Sequence, residues 1–459
     1  RLADKFYFFV YLMRLVLNII ILKYKGFFMR FYLAVVFFFL CFTANFAQNQ
    51  QDRIDFLEEK LQKLTKDLEA IKQDIATEKK STKTGLDKAA EERISILEEM
   101  ESLKKGGLLG LGSDPKWLHK FTLGGYGEFH LNAREGKGNK FLDIHRFVLY
   151  LGYDFNDWIK FNSETEFEHG FVEEGNGEIL IEQLYVDFLF SDYINARVGR
   201  VLAPLGIINK YHEPTTFYSV ERPAVETNII PSTWYLDGIG IYGKITPYFR
   251  YEAYLTNSLD GSGFSSTGGI RGGRQEERPG ISEPGYSGRV DFFPLAGMES
   301  SDHDLRLGLS MFAGGMNNGN LGENPEINGE VYLYSGDVQY RFSKFEFKAV
   351  GAYGKIGASR ELNRDFGGNV ASDIVGFYFE TAYHFWPDSW KKGKLAESDA
   401  VAFVRYEDYN TQFKVHSGLA KDPKGNRNDW VFGLAFYPVP NLVLKVDFQL
   451  KDDATRETD

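Results

Sequence analysis

The sequence predicts an all-β protein, a transmembrane antiparallel β-barrel of about 16 strands, preceded by a periplasmic α-helical coiled coil. Three observations lead there. The chain carries 40 Phe, 26 Tyr and 6 Trp, yet its mean hydropathy is only -0.31. From about Lys116 onward apolar residues recur at every second position. The connections between these runs are very short at one end and long, polar and glycine-rich at the other. In hydrocarbon every backbone N–H and C=O must be paired, so a spanning sheet has to close on itself. Its outer face is then apolar and its inner face can stay wet, which reconciles many aromatics with a negative hydropathy. A soluble β-sandwich or propeller would explain the alternation but not the asymmetry of the connections.

Composition narrows the field further. The 459 residues carry a formal charge of -11 and one cysteine. The hydropathy excludes a helical membrane bundle, and the acidic balance argues against a nucleic-acid partner, which needs a basic face. A single cysteine excludes a disulfide scaffold or a thiolate zinc cluster.

Taken in order, residues 1–28 read as an upstream translated segment, because the chain opens with Arg1 and a leader begins at Met29. Residues 29–47 have one basic residue, an apolar run from Phe31 to Phe42 and a small, polar end, the pattern of an export signal cleaved after Ala47. Removing residues 1–47 takes away six basic residues and one acidic one, so the mature charge falls from -11 to -16. Over residues 48–115, Ile54, Leu57, Leu61, Leu64, Leu68, Ile71 and Ile75 alternate spacings of three and four, a heptad seam that needs a partner helix. The pattern lapses at Ser81 to Gly85, resumes at Ile94, Leu97 and Met100, and ends at Gly106 and Gly107.

Residues 116–459 are the expected barrel. In the last hairpin Leu442, Leu444, Val446, Phe448 and Leu450 point one way and Lys445, Asp447, Gln449 and Lys451 the other. Val338, Tyr340 and Phe342 lead through a turn at Ser343 and Lys344 into Phe345 and Phe347. Ile239, Ile241 and Ile245 precede a turn at Thr246 and Pro247, and Phe249, Tyr251 and Leu255 follow it. The long connections include Asp260 to Gly285, Gly314 to Gly329 and Ser417 to Asn428. At about 20 to 22 residues per strand and connection, the length accommodates roughly 14 to 18 strands, which leaves an aqueous channel. The chain stops at Asp459 in a charged stretch, so at least one closing strand is expected to be missing.

Several runs carry a family resemblance: GEFHLNAREG from Gly127, Asp143 to His169, EQLYVDFLF from Glu182, Ala196 to Pro223 with a G-x-x-x-x-P-x-G stretch at Gly199 to Gly206, and YPVPNLVLKVDFQ from Tyr437. These resemble the Gram-negative outer-membrane porins grouped as phosphate-selective porins O and P. The resemblance implies a homotrimer embedded in outer-membrane lipid, its lumen narrowed by inward-folded loops, passing small hydrophilic solutes or anions such as phosphate by passive diffusion. It also places the coiled coil in the periplasm.

Selectivity is the weak point of the carry-over, because an anion pore needs basic residues at its constriction. Alternation assigns to the lumen wall Lys160, Lys244, Arg250, Arg306, Arg341, Lys348, Lys445 and Lys451 against Glu164, Glu166, Glu168, Glu252, Glu346, Glu380 and Asp447, eight basic residues to seven acidic. Two loop clusters could tip that balance: Lys210, His212 and Arg222, and Arg271 with Arg274. One of them is expected to fold into the lumen as the constriction. No cofactor, metal site or enzyme activity is expected. Gly238 to Gly243 match G-x-G-x-x-G, but the run leads into Lys244 to Pro247, not into a helix that could hold a phosphate. The alternative function is a structural envelope protein that tethers the outer membrane through its coiled coil.

Overall fold

The computed structural model describes residues 118–133, 140–169, 177–274, 280–297, 303–317, 327 and 329–455. The expected leader and coiled coil lie outside them. Fifteen strands form one sheet: β1 Phe121–Ala133, β2 Lys140–Asp154, β3 Ile159–Glu168, β4 Ile179–Leu189, β5 Asn195–Leu202, β6 Tyr235–Thr246, β7 Phe249–Thr256, β8 Gly285–Phe292, β9 His303–Gly315, β10 Glu330–Phe342, β11 Phe345–Ile356, β12 Asp373–His384, β13 Asp399–Lys414, β14 Asn426–Val439 and β15 Leu442–Asp453. Each strand pairs antiparallel with its neighbours in sequence, from β1 through to β15. Two short helices interrupt the connections, α1 Val225–Asn228 and α2 Ser359–Phe366.

The alternation decides which face is which. Along β15, Leu442, Leu444, Val446, Phe448 and Leu450 are all exposed, while the residues between them from Val443 to Gln449 are half-buried. On β1 and β2, Leu123, Phe129, Leu131 and Leu142 are 66–78% exposed, next to a buried Glu128, His130 and Arg146. A sheet with apolar side chains outside and charged ones buried is inside-out relative to a soluble protein, as lipid on the outer face requires. Aromatic residues collect at the end with the shorter connections: Phe121 on Tyr153 at 4.7 Å, Trp158 near Phe188, Phe249 stacked on Phe292 at 4.6 Å, and Phe345 on Tyr383 at 4.8 Å. Rings at that level form one of the interfacial girdles of such a sheet.

The expected turns at Ser343 and Lys344, at Pro247, and before Leu442 are present, and Ser343 takes φ +52° to make its turn. Connections at that end run from two to five residues, except those after β8 and β12, which are longer. The G-x-G-x-x-G run lies within β6, and an added Cβ at Gly240 would meet the Tyr254 ring at 2.1 Å. These glycines let neighbouring side chains lie flat across the strand.

Candidate functional site

Residues 203–234, joining β5 to β6, fold onto the inner face of the sheet. Leu205, Ile207, Ile208, Ile229, Ile230 and Trp234 are fully or almost fully buried, and Trp234 packs on Phe312 of β9 at 4.6 Å. The β7–β8 connection joins the same cluster through Leu259, Phe264 and Ile270. A glycine- and serine-rich stretch that reads as solvated loop is therefore partly core, because apolar residues placed singly among glycines leave no periodic signal.

Polar anchors fix the segment. The buried carboxylate of Glu226 on α1 accepts the backbone N–H of Ile207 at 2.8 Å and Ile208 at 2.7 Å, and the Tyr378 hydroxyl of β12 at 2.7 Å. Burial pushes the Glu226 carboxyl up to about 7, although those bonds favour its ionised form. Gly206, at φ +66°, makes room for it: a Cβ there would lie 2.3 Å from Glu226 Oε2. His212 Nε2 lies 2.9 Å from Glu182 of β4 and 3.6 Å from Glu164 of β3, with all three side chains at most 3% exposed. Burial lowers the imidazole pKa, but the two carboxylates more than offset it and hold it at about 9. Lys210 reaches Glu252 of β7 at 2.5 Å.

The other strands grip the same segment. Arg289 of β8 donates to the Gly206 carbonyl at 2.8 Å, Lys348 of β11 to that of Thr216 at 3.3 Å, and Arg405 of β13 to Ser219 Oγ at 2.7 Å. Val225 N–H donates to Glu407 of β13 at 2.9 Å. Asn132 of β1 donates to Glu221 at 3.0 Å, while Asp447 of β15 accepts Val220 N–H at 2.6 Å. Adjacent residues 220 and 221 thus touch the first and the last strand of the sheet.

The buried arginines of the inner wall are paired. Arg146 lies 2.7 Å from Glu128, Arg197 2.7 Å from Asp187, Arg200 2.6 Å from Asp237, and Arg289 2.8 Å from Asp337. Arg405 bridges Glu380 at 3.0 Å and Glu407 at 2.8 Å. Three loop arginines differ. Arg222 donates to Thr233 Oγ1 at 2.6 Å, Arg271 to the carbonyls of Thr227 and Ser232, and Arg274 to those of Thr233 and Arg271. Among the described residues none of the three has a carboxylate at ion-pair distance. Burial first, then the neighbouring Arg274 and Arg222, push the Arg271 guanidinium down to about 9, so it stays charged at neutral pH in a crowded cationic group. Burial and Arg146 likewise lower Arg222.

The structure places the sequence-derived residues unevenly. Glu164, Glu166 and Lys348 are buried on the inner face, with Arg306 and Lys445 half-buried beside it; Lys445 lies 3.7 Å over the Phe217 ring. Lys160 pairs with Asp154 at 2.8 Å near a short connection, and Glu168 is half-buried at the far end of β3. Lys244, Arg250 and Arg341 are exposed at strand ends and not brought to the loop segment. The two loop clusters meet through Arg222 alone: Arg222, Arg271 and Arg274 come together around Ser232 and Thr233, while Lys210 and His212 bind Glu252 and Glu182. Sequence reasoning missed Arg146, Arg197, Arg200, Arg289 and Arg405. For Arg146 the cause is a bulge at Glu128/Phe129, which turns His145 and Arg146 inward together where strict alternation would send one of them out.

The family model described as phosphate-selective porin O and P matches residues 124–323. An uncharacterized protein of Aquifex aeolicus (strain VF5) is 33% identical over 347 residues, 72% of this chain and 76% of that protein. Among solved structures, an anion-selective porin from Comamonas acidovorans is similar with 12% identity and a TM-score of 0.44, over 73% of this chain and 89% of that one. Pseudomonas putida OprB gives 11% and 0.45 over 74% and 91%, and Salmonella typhi OmpF 10% and 0.47 over 73% and 92%.

Proposed function

The chain belongs to the phosphate-selective porin O and P family and is an outer-membrane porin, and on that premise we propose that it forms a closed, trimeric, water-filled barrel for passive diffusion of small hydrophilic solutes, with a preference for anions such as phosphate. Closure is supported by residues 220 and 221, which bind the first and last strands side by side, and by the cost of leaving a sheet edge unpaired in lipid. Phe121, the first residue of β1, pairs with Tyr153 beside a short connection. The chain therefore enters the sheet from the end that faces the periplasm in such barrels.

The observation that carries the anion preference is the loop group Arg222, Arg271 and Arg274. Wall arginines cancelled by carboxylates contribute little field, whereas guanidiniums bound only to carbonyls and a hydroxyl keep their full charge toward the lumen. Low-dielectric walls magnify that charge for a passing ion. The test is the reversal potential of the purified protein in planar bilayers under a potassium chloride gradient. Wild type is expected to favour chloride, and Arg271→Glu with Arg274→Glu to lose or invert that preference. An unchanged preference and conductance in the double variant would refute the role of this cluster. A correctly folded protein that never conducts would instead support the tether.

A further inference from the structure

On the same inner face, three imidazoles come together that lie 15 and 24 residues apart in the chain. His130 of β1 stacks on His145 of β2 with centroids 4.2 Å apart and planes 12° from parallel. His169, just after β3, meets His145 edge-on at 5.7 Å. His169 takes φ +56° and donates its backbone N–H to the His145 carbonyl at 3.1 Å, which holds the two residues side by side. Its Nδ1 lies 2.7 Å from Asp143 Oδ2. His130 is 93% buried, and its Nδ1 makes no hydrogen bond, with Glu221 Oε1 at 3.4 Å as the nearest charged group. Neither ring nitrogen of His145 is hydrogen-bonded among the described residues.

We propose that Asp143, His145 and His169, with water completing the coordination and His130 stacked on His145 as its support, form a site for a divalent transition-metal ion such as zinc. One donor atom each from Asp143, His145 and His169 lie within 4.8 Å of one another, and so do donors from Glu128, His130 and His145. A tetrahedral zinc with bonds of about 2.0–2.1 Å needs donors about 3.4 Å apart, which small side-chain rotations supply. Imidazole donors favour zinc, copper, nickel or cobalt over magnesium and calcium, which take oxygen. Glu128 is already held by Arg146 at 2.7 Å, so it serves beside the site and not as a ligand. Asp143 and His169 keep 33% and 45% of their side chains exposed, which gives an ion a way in. The third such group, Glu164, Glu182 and His212, is sealed and internally paired, and so acts as a clip for the loop.

Metal binding by the folded chain does not depend on anion selectivity, so the two readings fail separately. The experiment is a titration of the full-length protein in detergent micelles with cobalt(II), read by visible absorption, and with zinc by calorimetry. Saturable binding with the spectrum of a four-coordinate site is expected. His145→Ala should abolish it, and His169→Ala, on an exposed turn with little bearing on folding, should weaken it about ten-fold or more. His416→Ala should leave it unchanged. Absence of saturable binding by the folded wild type, or wild-type binding by His145→Ala or His169→Ala, would overturn the proposal.

Discussion

The clip between His212 and the β3–β4 wall should make the pore pH-dependent in a defined direction. His212 lies 2.9 Å from Glu182 and 3.6 Å from Glu164, all nearly sealed from water. Raising an imidazole pKa from 6.5 to about 9 corresponds to about 3 kcal/mol at about 1.4 kcal/mol per pH unit. Because the folded value is the higher one, this contribution is complete below pH 6.5 and is lost as pH rises through about 9. His212→Ala removes the cation at every pH and leaves two buried carboxylates facing each other, which costs about 3–5 kcal/mol. Either change shifts the balance between clipped and released loop by about a hundredfold or more. Release stays local, since Glu226, Arg289 and Arg405 still hold the segment on either side. The assay is bilayer current at fixed salt from pH 6 to pH 10. Wild-type conductance should be steady to about pH 8 and then rise and become noisier, while His212→Ala should show the released level at pH 6.5 and little further change. The same pH response in both proteins, or no response in either, would refute this account of the clip.

Two other perturbations probe the loop anchor and the lipid face. Glu226→Ala orphans two backbone donors and the Tyr378 hydroxyl, at about 1–3 kcal/mol for each group left buried and unpaired. Limited proteolysis should then cut within residues 203–234 in the variant and not in wild type, and Gly206→Ala should act alike by displacing the same carboxylate. Val446→Lys puts a charge on the exposed apolar face of β15, at about 2–4 kcal/mol near the bilayer midplane. The neighbouring Gln449→Lys, on the half-buried inner face, should be tolerated, and the heat at which the compact electrophoretic form is lost distinguishes the two.

How much of this was legible follows from the range of the interactions. The hairpins of β10–β11 and β14–β15 are local: a period of two, a tight turn, and partners a few residues apart. Such pairing is written into a short window, and the strands appear where alternation places them. The inner wall is less legible. Ser287, Arg289 and Asp291 alternate with Tyr286 and Val290 on β8, yet Gly285 and Gly288 dilute the pattern in a stretch that otherwise reads as loop. On β2 the bulge beside His145 breaks the alternation, and no local residue announces it. The pairs E-x-H at 128–130 and D-x-H at 143–145 were the available hint, since residues two apart share a strand face. Only register shows that the two faces coincide, with His130 opposite Asp143.

The charge of the chain takes its functional meaning from the same distinction. A formal charge of -11 suggests a pore that repels anions, but net charge is the wrong quantity. On the wall, each buried arginine sits against a carboxylate one or two strands away or two positions along its own strand, as Arg289 does with Asp337 of β10 and with Asp291. Lumen charges at that spacing must pair, since an unpaired ion facing an apolar-backed wall would lose several kcal/mol of solvation. The wall keeps a surplus of carboxylates even so, since one arginine often serves two of them, as Arg405 does Glu380 and Glu407. A loop folded across the lumen is not bound by that constraint: its own carbonyls can solvate a guanidinium without cancelling it, as those of Ser232 and Thr233 do for Arg271 and Arg274. The proposed selectivity therefore rests on a few loop residues whose charge survives. Exchanging those residues should change what passes, while the sheet that carries them stays the same.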